Sequence, residues 1–233
     1  MENYILEVCV DSVESALAAK RGGATRLELC ANLVIGGTTP GYTLFEQVKE
    51  KTGLPVRVLI RPRFGDFLYS HYEYEQMLYD IRYFAQTGAD GGNSGITLHR
   101  AFDVCADPVV TLQRAAELGV DTILTSGQEA DCVAGCELLR RLVQLSADKC
   151  EGIDSYCKPA ILAGAGVSSA NIAEIAKITG AHAFHMSGKK LCLSGMHYRN
   201  ERVHMGLKEL SEFQIYRTDE TEIRRAVEIL QSL

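Results

Sequence analysis

The sequence predicts an α/β protein of the (β/α)8-barrel (TIM-barrel) class, with its functional site at the C-terminal mouth of the strands. Short apolar runs alternate with helical patterns along the chain, which is typical of βαβ units around a parallel sheet. The length of 233 residues suits one barrel domain over residues 1–233, and no linker-like stretch interrupts it. In this class the functional site lies where the strands end.

The predicted elements follow this alternation in order. Strands are predicted at 4–10, 25–30, 56–61, 96–101, 122–125, 160–163 and 181–186. Helices are predicted at 12–22, 42–52, 72–87, 108–118, 129–146, 168–178 and 219–232. Gly22-Gly23 ends the first helix, and Asp107-Pro108 opens a later one because proline suits the first helical position.

One strand–helix unit is absent from this pattern, because seven strands are predicted where a barrel needs eight. Residues 88–91 resemble the approach to a strand, and residues 92–95 resemble the end of a helix. The fourth strand and helix are therefore missing at the Gly91-Gly92 junction, either deleted or omitted from the sequence. An open gap there would expose two strand edges.

Composition narrows the class of protein further. The net charge of −6 disfavours a nucleic-acid partner, and no run of 18 apolar residues predicts a membrane span. The N-terminus lacks the basic and apolar regions of a signal peptide. The eight cysteines form no CxxC pair or compact framework, so we expect reduced thiols in a cytoplasmic protein.

Strand alternation places charged side chains on one face of the sheet. Leu6, Val8 and their equivalents form an aliphatic face that must meet the helices, so the opposite face points into the barrel. That inner face carries Glu7, Cys9, Arg26, Glu28, Cys30, Leu59, Arg61, Arg63, Thr97 and His99. Buried charges are costly unless paired, and here the signs balance. The residues form either a structural ion-pair network or a functional site.

Cys9 and Cys30 occupy the same register on adjacent strands, each two residues after an inward-facing glutamate. Two soft thiolates could hold Cu(I), which tolerates low coordination. The alternative is that both are small apolar side chains filling the barrel. His182 and His185 face opposite sides of their strand, so only His185 can face the mouth.

A glycine-rich turn after the strand at 160–163 suggests an anion site. Gly164 and Gly166 would let the backbone approach a ligand, and the following helix offers free N–H groups. Ser187 follows the last strand, so the three residues together occupy the usual phosphate position of a barrel.

Several motifs resemble the CutC copper homeostasis proteins, in order and over nearly the whole chain. They lie at 6–9 (LEVC), 26–30 (RLELC), 36–40 (GGTTP), 61–69 (RPRFGDFLY), 99–103 (HRAFD) and 124–127 (LTSG). The resemblance implies a cytoplasmic TIM barrel that forms homo-oligomers, with a dimer favoured. It also implies a role in copper tolerance, with Cys9 and Cys30 matching the strand-end cysteines thought to bind Cu(I).

Three functions remain open at this point. The first is Cu(I) binding by Cys9 and Cys30. The second is an enzyme acting on a small anionic or phosphorylated metabolite, clamped by Arg61 and Arg63. General acid–base chemistry would then come from residues among Glu7, Glu28, His99 and Asp103. The third is a non-catalytic barrel that senses a ligand.

Overall fold

The sheet at the centre of the protein contains seven parallel strands and curls into an incomplete barrel. The computed structural model describes residues 4–89, 95–147, 159–200, 202–203, 205 and 211–233. The strands are β1 (Ile5–Val10), β2 (Arg26–Leu29), β3 (Val56–Val58), β4 (Thr97–Leu98), β5 (Thr122–Thr125), β6 (Ala160–Ala163) and β7 (Ala183–Met186). Their order across the sheet is β3-β2-β1-β7-β6-β5-β4. β1 and β7, the first and last of these strands along the chain, are therefore neighbours in the sheet.

All seven predicted helices are present. They are α1 (Val13–Gly22), α2 (Tyr42–Thr52), α3 (His71–Gln86), α4 (Pro108–Glu117), α5 (Cys136–Ala147), α6 (Ile172–Thr179) and α7 (Glu220–Ser232). The Asp107 carboxylate caps α4, with Pro108 at its first position as the sequence predicts. A capping box between Ser70 and Glu73 starts α3.

The two faces of the sheet carry the side chains that the sequence predicts for them. Leu6, Val8 and Val10 of β1 are fully buried in the main core, together with apolar side chains of the helices. On the inner face, Cys9, Cys30 and Leu59 form a separate small cluster. Glu7 and Glu28 are also buried on the inner face. A strand buried on both faces is what a barrel wall requires.

Two helices begin later than the sequence predicts. The helix expected at 129–146 starts at Cys136, because Gly127 and Gln128 adopt positive φ and the Asp131 carboxylate accepts N–H groups of Val133 and Ala134. Similarly, the helix expected at 168–178 starts at Ile172.

Two strand predictions were too long, and one pair of strands was missed. The segment 96–101 is a strand only at Thr97–Leu98, and Arg100–Val104 forms a 3-10 helix. The segment 56–61 is a strand only over Val56–Val58. The missed elements β8 (Lys189–Leu193) and β9 (Gln214–Thr218) form an antiparallel pair outside the barrel. Their long separation in sequence leaves no hairpin signal.

The incomplete barrel is open between β3 and β4. β3 pairs with β2, and β4 pairs with β5, and no strand of the described part of the chain lies between them. Arg57 crosses this opening from β3, and its guanidinium donates to the hydroxyl of Thr97 on β4 and to that of Thr122 at 3.5 Å. The Gly91-Gly92 junction itself lies outside the described residues. The structure therefore has the open edge that a missing fourth unit would leave.

None of the described helices is long and apolar enough to cross a membrane.

We predict that Gly135→Ala destabilises the protein, because a Cβ at Gly135 would overlap the backbone carbonyl of Ser126. Neither backbone can yield without disrupting the turn between β5 and α5, so we expect a loss of about 3 kcal/mol in the free energy of unfolding. Gly195→Ala is the matched control, since an added Cβ there meets nothing within 4 Å. Urea denaturation of both variants checks this, and equal stabilities would contradict it.

Candidate functional site

A buried ion-pair network occupies the inner face of β1, β2 and β7. Glu7 is 1% exposed, and its Oε2 accepts a hydrogen bond from Nε of Arg26 at 2.5 Å. Its Oε1 lies 2.9 Å from Nδ1 of His185 on β7. Parallel register places Glu7 directly between these two partners on the neighbouring strands. The carboxylate is thus held on both sides, as a buried charge must be.

Glu28 continues the network toward the strand ends. Its Oε1 lies 3.3 Å from Nε2 of His99, and its Oε2 lies 3.8 Å from Nε2 of His185. Burial alone would raise the pKa of Glu28, but His99, His185 and a hydrogen bond from Cys9 hold it well below its ordinary value. Glu28 is therefore ionised at neutral pH.

His185 joins the two glutamates. Burial alone would lower the pKa of His185, but the carboxylates of Glu28 and Glu7 raise it above its ordinary value. The imidazole is thus held in orientation by one carboxylate and is close to the second. Such an outer carboxylate is the usual support of a histidine that binds a metal.

The two cysteines predicted as metal ligands lie side by side, next to this network. The Sγ atoms of Cys9 and Cys30 are 3.7 Å apart, and both side chains are buried. The hydrogen bond with Cys30, burial and the nearby Glu28 carboxylate all raise the pKa of the Cys9 thiol well above its ordinary value. Without a metal, Cys9 is therefore a protonated thiol at neutral pH.

The loop after β2 covers these thiols. Gly37 has a φ of +82°, and a Cβ there would lie 2.7 Å from the Leu59 side chain and 3.5 Å from Sγ of Cys30. Both the left-handed conformation and the close approach require glycine at this position. The 36–40 motif thus packs directly on Cys30.

Ligand-type atoms of three residues converge at this place. Sγ of Cys9, a carboxylate oxygen of Glu28 and a ring nitrogen of His185 all lie within 4.8 Å of one another. With Cys30 beside Cys9, the described residues supply two thiols, one imidazole and one carboxylate. Sulfur and imidazole donors suit a soft ion such as Cu(I).

Arg61 and Arg63, predicted to clamp an anion, are engaged with the protein itself. The Arg61 guanidinium donates to the carbonyls of Gly36, Gly37 and Gly65 at 3.0–3.2 Å. Arg63 donates to the carboxylates of Glu73 at 2.6 Å and Asp66 at 2.9 Å. The two arginines thus fasten the loops around the mouth.

Asp103 also holds a loop in place through hydrogen bonds. Its carboxylate accepts hydrogen bonds from the Thr125 hydroxyl, the Ser126 backbone N–H and Arg100 Nε. Burial alone would raise the pKa of Asp103, but these hydrogen bonds lower it. The residue lies in the 3-10 helix after β4 and fixes the turn that follows β5. It is not among the contacts of the cluster around Glu28.

Next to the predicted anion site at Gly164, Gly166 and Ser187, a carboxylate of the protein accepts hydrogen bonds from Ser169. The backbone N–H and hydroxyl of Ser169 donate to the Glu222 carboxylate of α7 at 2.7 and 2.9 Å. Gly164 is needed for packing, because a Cβ would lie 2.5 Å from Leu124. Gly166 has a φ of +84°, and the Ser187 carbonyl accepts a hydrogen bond from Thr218. An external anion at this helix end would have to displace Glu222.

Arg57 was given no role by the sequence, and the partners of His185 were not predicted from it. Arg57 shares the inward parity of Leu59 and Arg61, and that parity was the signal that could have found it. It lines a cavity of about 310 Å³ together with Glu28 and His99. His185 was assigned to the mouth, but its contact with both glutamates depends on β7 pairing with β1, which sequence alone does not show.

Fold and site together define a class: an incomplete TIM-type barrel with a buried cluster of thiols, imidazole and carboxylates at its strand ends. The CutC family model matches residues 4–95 and 91–190. A CutC family protein of Bacteroides fragilis (strain YCH46) is 41% identical over 259 residues, covering 100% of this chain and 98% of that protein. The human copper homeostasis protein cutC homolog is 38% identical over 246 residues, covering 95% and 87%. The chain therefore belongs to the CutC family.

The fold agrees with a solved structure of the family. The crystal structure of a Streptococcus agalactiae protein described as CutC superposes with a TM-score of 0.67 at 24% identity. The superposition covers 79% of this chain and 98% of that one. This likeness supports the TIM-type barrel.

We predict that Glu28→Gln lowers the free energy of unfolding by about 3–5 kcal/mol at pH 7, because it leaves two imidazoles facing a neutral amide. The lowered pKa of Glu28 adds stability above the ordinary glutamate value of 4.5, and this stability is lost as pH falls below that value. The difference between the two proteins should therefore shrink in acid.

Urea denaturation between pH 3 and pH 8 checks this prediction. Glu117→Gln is the matched control, since the Glu117 side chain is 61% exposed. A deficit for Glu28→Gln that stays the same across this range would contradict the role of Glu28 as a buried ionised group.

Proposed function

We propose that this protein takes part in copper homeostasis by binding Cu(I) at the cysteine pair inside the barrel mouth. The observation that carries the proposal is the 3.7 Å separation of the Cys9 and Cys30 sulfurs beside His185 and Glu28. The relatives of this protein include a human protein named for copper homeostasis. Copper is the cargo of such a site.

The chemistry of the cluster favours this ion. Two adjacent thiols can lose their protons and bind Cu(I) as thiolates, because Cu(I) accepts two or three soft ligands. His185 is the candidate for a third ligand, and Glu7 orients its ring through Nδ1. Leu59 and the loop at Gly37 shield the sulfurs from water, which protects Cu(I) from oxidation.

Electrostatics near the thiols supports a cation. Cations around the mouth would oppose a copper ion, yet Arg61 and Arg63 are held by carbonyls and carboxylates of the loops. Arg26 is paired with Glu7. The charged group that interacts with Cys9 is the Glu28 carboxylate. The Glu28 carboxylate would attract a copper ion, whereas it gains no such attraction from neutral, protonated thiols.

The proposal also covers where and how the protein works. Reduced thiols and a Cu(I) site require a reducing compartment, so we assign the protein to the cytoplasm. We further propose a homo-oligomer, with a dimer favoured. Apolar residues Leu191, Leu193 and Ile215 on the β8–β9 pair are exposed and support an interface there.

A second candidate is an enzyme acting on a small anionic metabolite. The observation that favours it is the cavity of about 310 Å³, which His99 and Glu28 line together with Arg57. An imidazole next to a carboxylate can exchange a proton with a ligand, and Arg57 can attract an anion. A thermal-shift screen of small phosphates and carboxylates tests it: a hit that Arg57→Ala abolishes would support this function.

We expect Cys9→Ser/Cys30→Ser to weaken Cu(I) binding at least 100-fold, because hydroxyl groups are poor ligands for a soft ion. Competition titration with a chromophoric Cu(I) chelator under anaerobic conditions measures this. Cys132→Ser/Cys136→Ser is the matched control, because it removes two other buried thiols. Unchanged affinity in the Cys9/Cys30 variant, or an equal loss in the control, would reject this site.

Copper affinity should also rise with pH. The pKa of Cys9 is raised well above its ordinary value, so binding at neutral pH must displace the thiol proton. We therefore expect apparent Cu(I) affinity to increase about tenfold per pH unit for each proton displaced. The same titration at pH 6, 7 and 8 checks this, and an affinity independent of pH would contradict thiolate ligation.

A further inference from the structure

A second set of ligand atoms overlaps the cysteine pair and shares only Cys9 with it. Sγ of Cys9, a carboxylate oxygen of Glu28 and a ring nitrogen of His185 lie within 4.8 Å of one another. Among the described residues, no other three His, Cys, Asp or Glu side chains converge so closely. This mixed triad of Cys9, Glu28 and His185 offers one sulfur, one oxygen and one nitrogen, whereas the cysteine pair offers two sulfurs.

The spacing of the mixed triad is close to that of a tetrahedral metal site. Tetrahedral Zn(II) binds sulfur at about 2.3 Å and nitrogen or oxygen at about 2.0–2.2 Å, so its ligand atoms lie roughly 3.4–3.6 Å apart. Nε2 of His185 and Oε2 of Glu28 are already 3.8 Å apart. Since no separation in the triad exceeds 4.8 Å, contraction by about 1 Å brings the three atoms onto one ion.

The His185 ring is already oriented for an ion at Nε2. Its Nδ1 lies 2.9 Å from Oε1 of Glu7, and Nε2 faces Glu28. Arg26 holds the other oxygen of Glu7 at 2.5 Å. A histidine that binds a metal normally donates its second ring N–H to a carboxylate, which fixes the ring. Glu7 and Arg26 supply this support, and Nε2 is the nitrogen that meets the ion.

Charge distinguishes the mixed triad from the cysteine pair. With Glu28 ionised, Cys9 as a thiolate and a neutral imidazole, the triad carries two negative charges. A dication neutralises both, whereas Cu(I) would leave one buried negative charge uncompensated. Mixed sulfur, nitrogen and oxygen ligands are those of Zn(II) sites, while Mg²⁺ and Ca²⁺ require more oxygen ligands than the triad offers.

We propose that Cys9, Glu28 and His185 form a binding site for a divalent ion of the Zn(II) class, with Glu28 as a direct ligand. The ion displaces the Cys9 proton to solvent, and three protein ligands leave the fourth tetrahedral position to water. Because Cys9 belongs to both sets of ligands, the dication and Cu(I) compete for the protein. This competition rests on the proposed copper function, and the binding of the dication does not.

Co(II) is the probe for this site, because it takes the tetrahedral geometry of Zn(II) and absorbs visible light. We titrate the full-length chain with Co(II) under anaerobic conditions. We expect the intense visible bands of a tetrahedral ion and a near-ultraviolet band from charge transfer between sulfur and cobalt. One equivalent of Zn(II) should remove both, and so should Cu(I), since it takes Cys9.

Cys9→Ser and Cys30→Ser are a matched pair, because each makes the same exchange at a neighbouring buried thiol. Cys9→Ser should remove the charge-transfer band and weaken Co(II) binding about 100-fold. Cys30→Ser should keep the band and the Co(II) affinity while weakening Cu(I) binding. Glu28→Gln should also weaken Co(II) binding about 100-fold. Far-ultraviolet circular dichroism verifies folding, and the two cysteine variants decide the question if Glu28→Gln does not fold.

Equal loss of Co(II) binding in the two cysteine variants would assign the dication to the cysteine pair and overturn the proposal. A weak octahedral spectrum, a charge-transfer band that survives Cys9→Ser, or unchanged Co(II) affinity in a folded Glu28→Gln variant would also overturn it. The Cu(I) titration of the same samples separates the two proposals. Cu(I) binding without Co(II) binding overturns only the mixed triad. Co(II) binding with no Cu(I) binding supports the triad and rejects only the copper function.

Discussion

The buried glutamate pair is the constraint on which the interior of this protein depends. Glu7 and Glu28 lie on neighbouring strands within the barrel, where an unpaired carboxylate would cost several kcal/mol. Arg26 and His185 reach Glu7 because parallel register aligns their strands with β1, and His99 reaches Glu28 from the segment that follows β4. The sheet is therefore specified by its charges as well as by its apolar packing.

The same network surrounds the cysteine pair. Glu28 interacts with the Cys9 thiol, and Glu7 orients the His185 ring. A metal that enters would replace the thiol protons and meet an already fixed imidazole. The loop arginines take part indirectly, because Arg61 holds the carbonyls of Gly36 and Gly37 over Cys30. These hydrogen bonds fix the loop that packs on Cys30.

The open barrel wall changes access to this interior. In a closed barrel, a strand between β3 and β4 would block access to the cluster from the side. A ligand would then enter through the mouth. Here the cavity beside Arg57 extends from Ile81 and Ile96 at the surface to Glu28 and His99. The bridge from Arg57 to Thr97 and Thr122 partly spans the opening through side chains. It supplies polar contacts where backbone pairing is absent.

Local patterns were sufficient for much of this structure. Alternation along β1 and β2 correctly placed Glu7, Cys9, Glu28 and Cys30 inside, because side-chain direction in a strand depends only on parity. The alternation of elements predicted the barrel, and its interruption at Gly91-Gly92 predicted the open wall. The sequence by itself therefore determined the class of fold and which polar and thiol side chains face the interior. Only tertiary structure decided their partners: His185 meets Glu7 through strand pairing, Glu222 of α7 binds Ser169 next to the expected anion site, and Arg61 and Arg63 turn to nearby loops. These contacts join residues that are distant in sequence or depend on loop conformation, and neither is encoded in a local period.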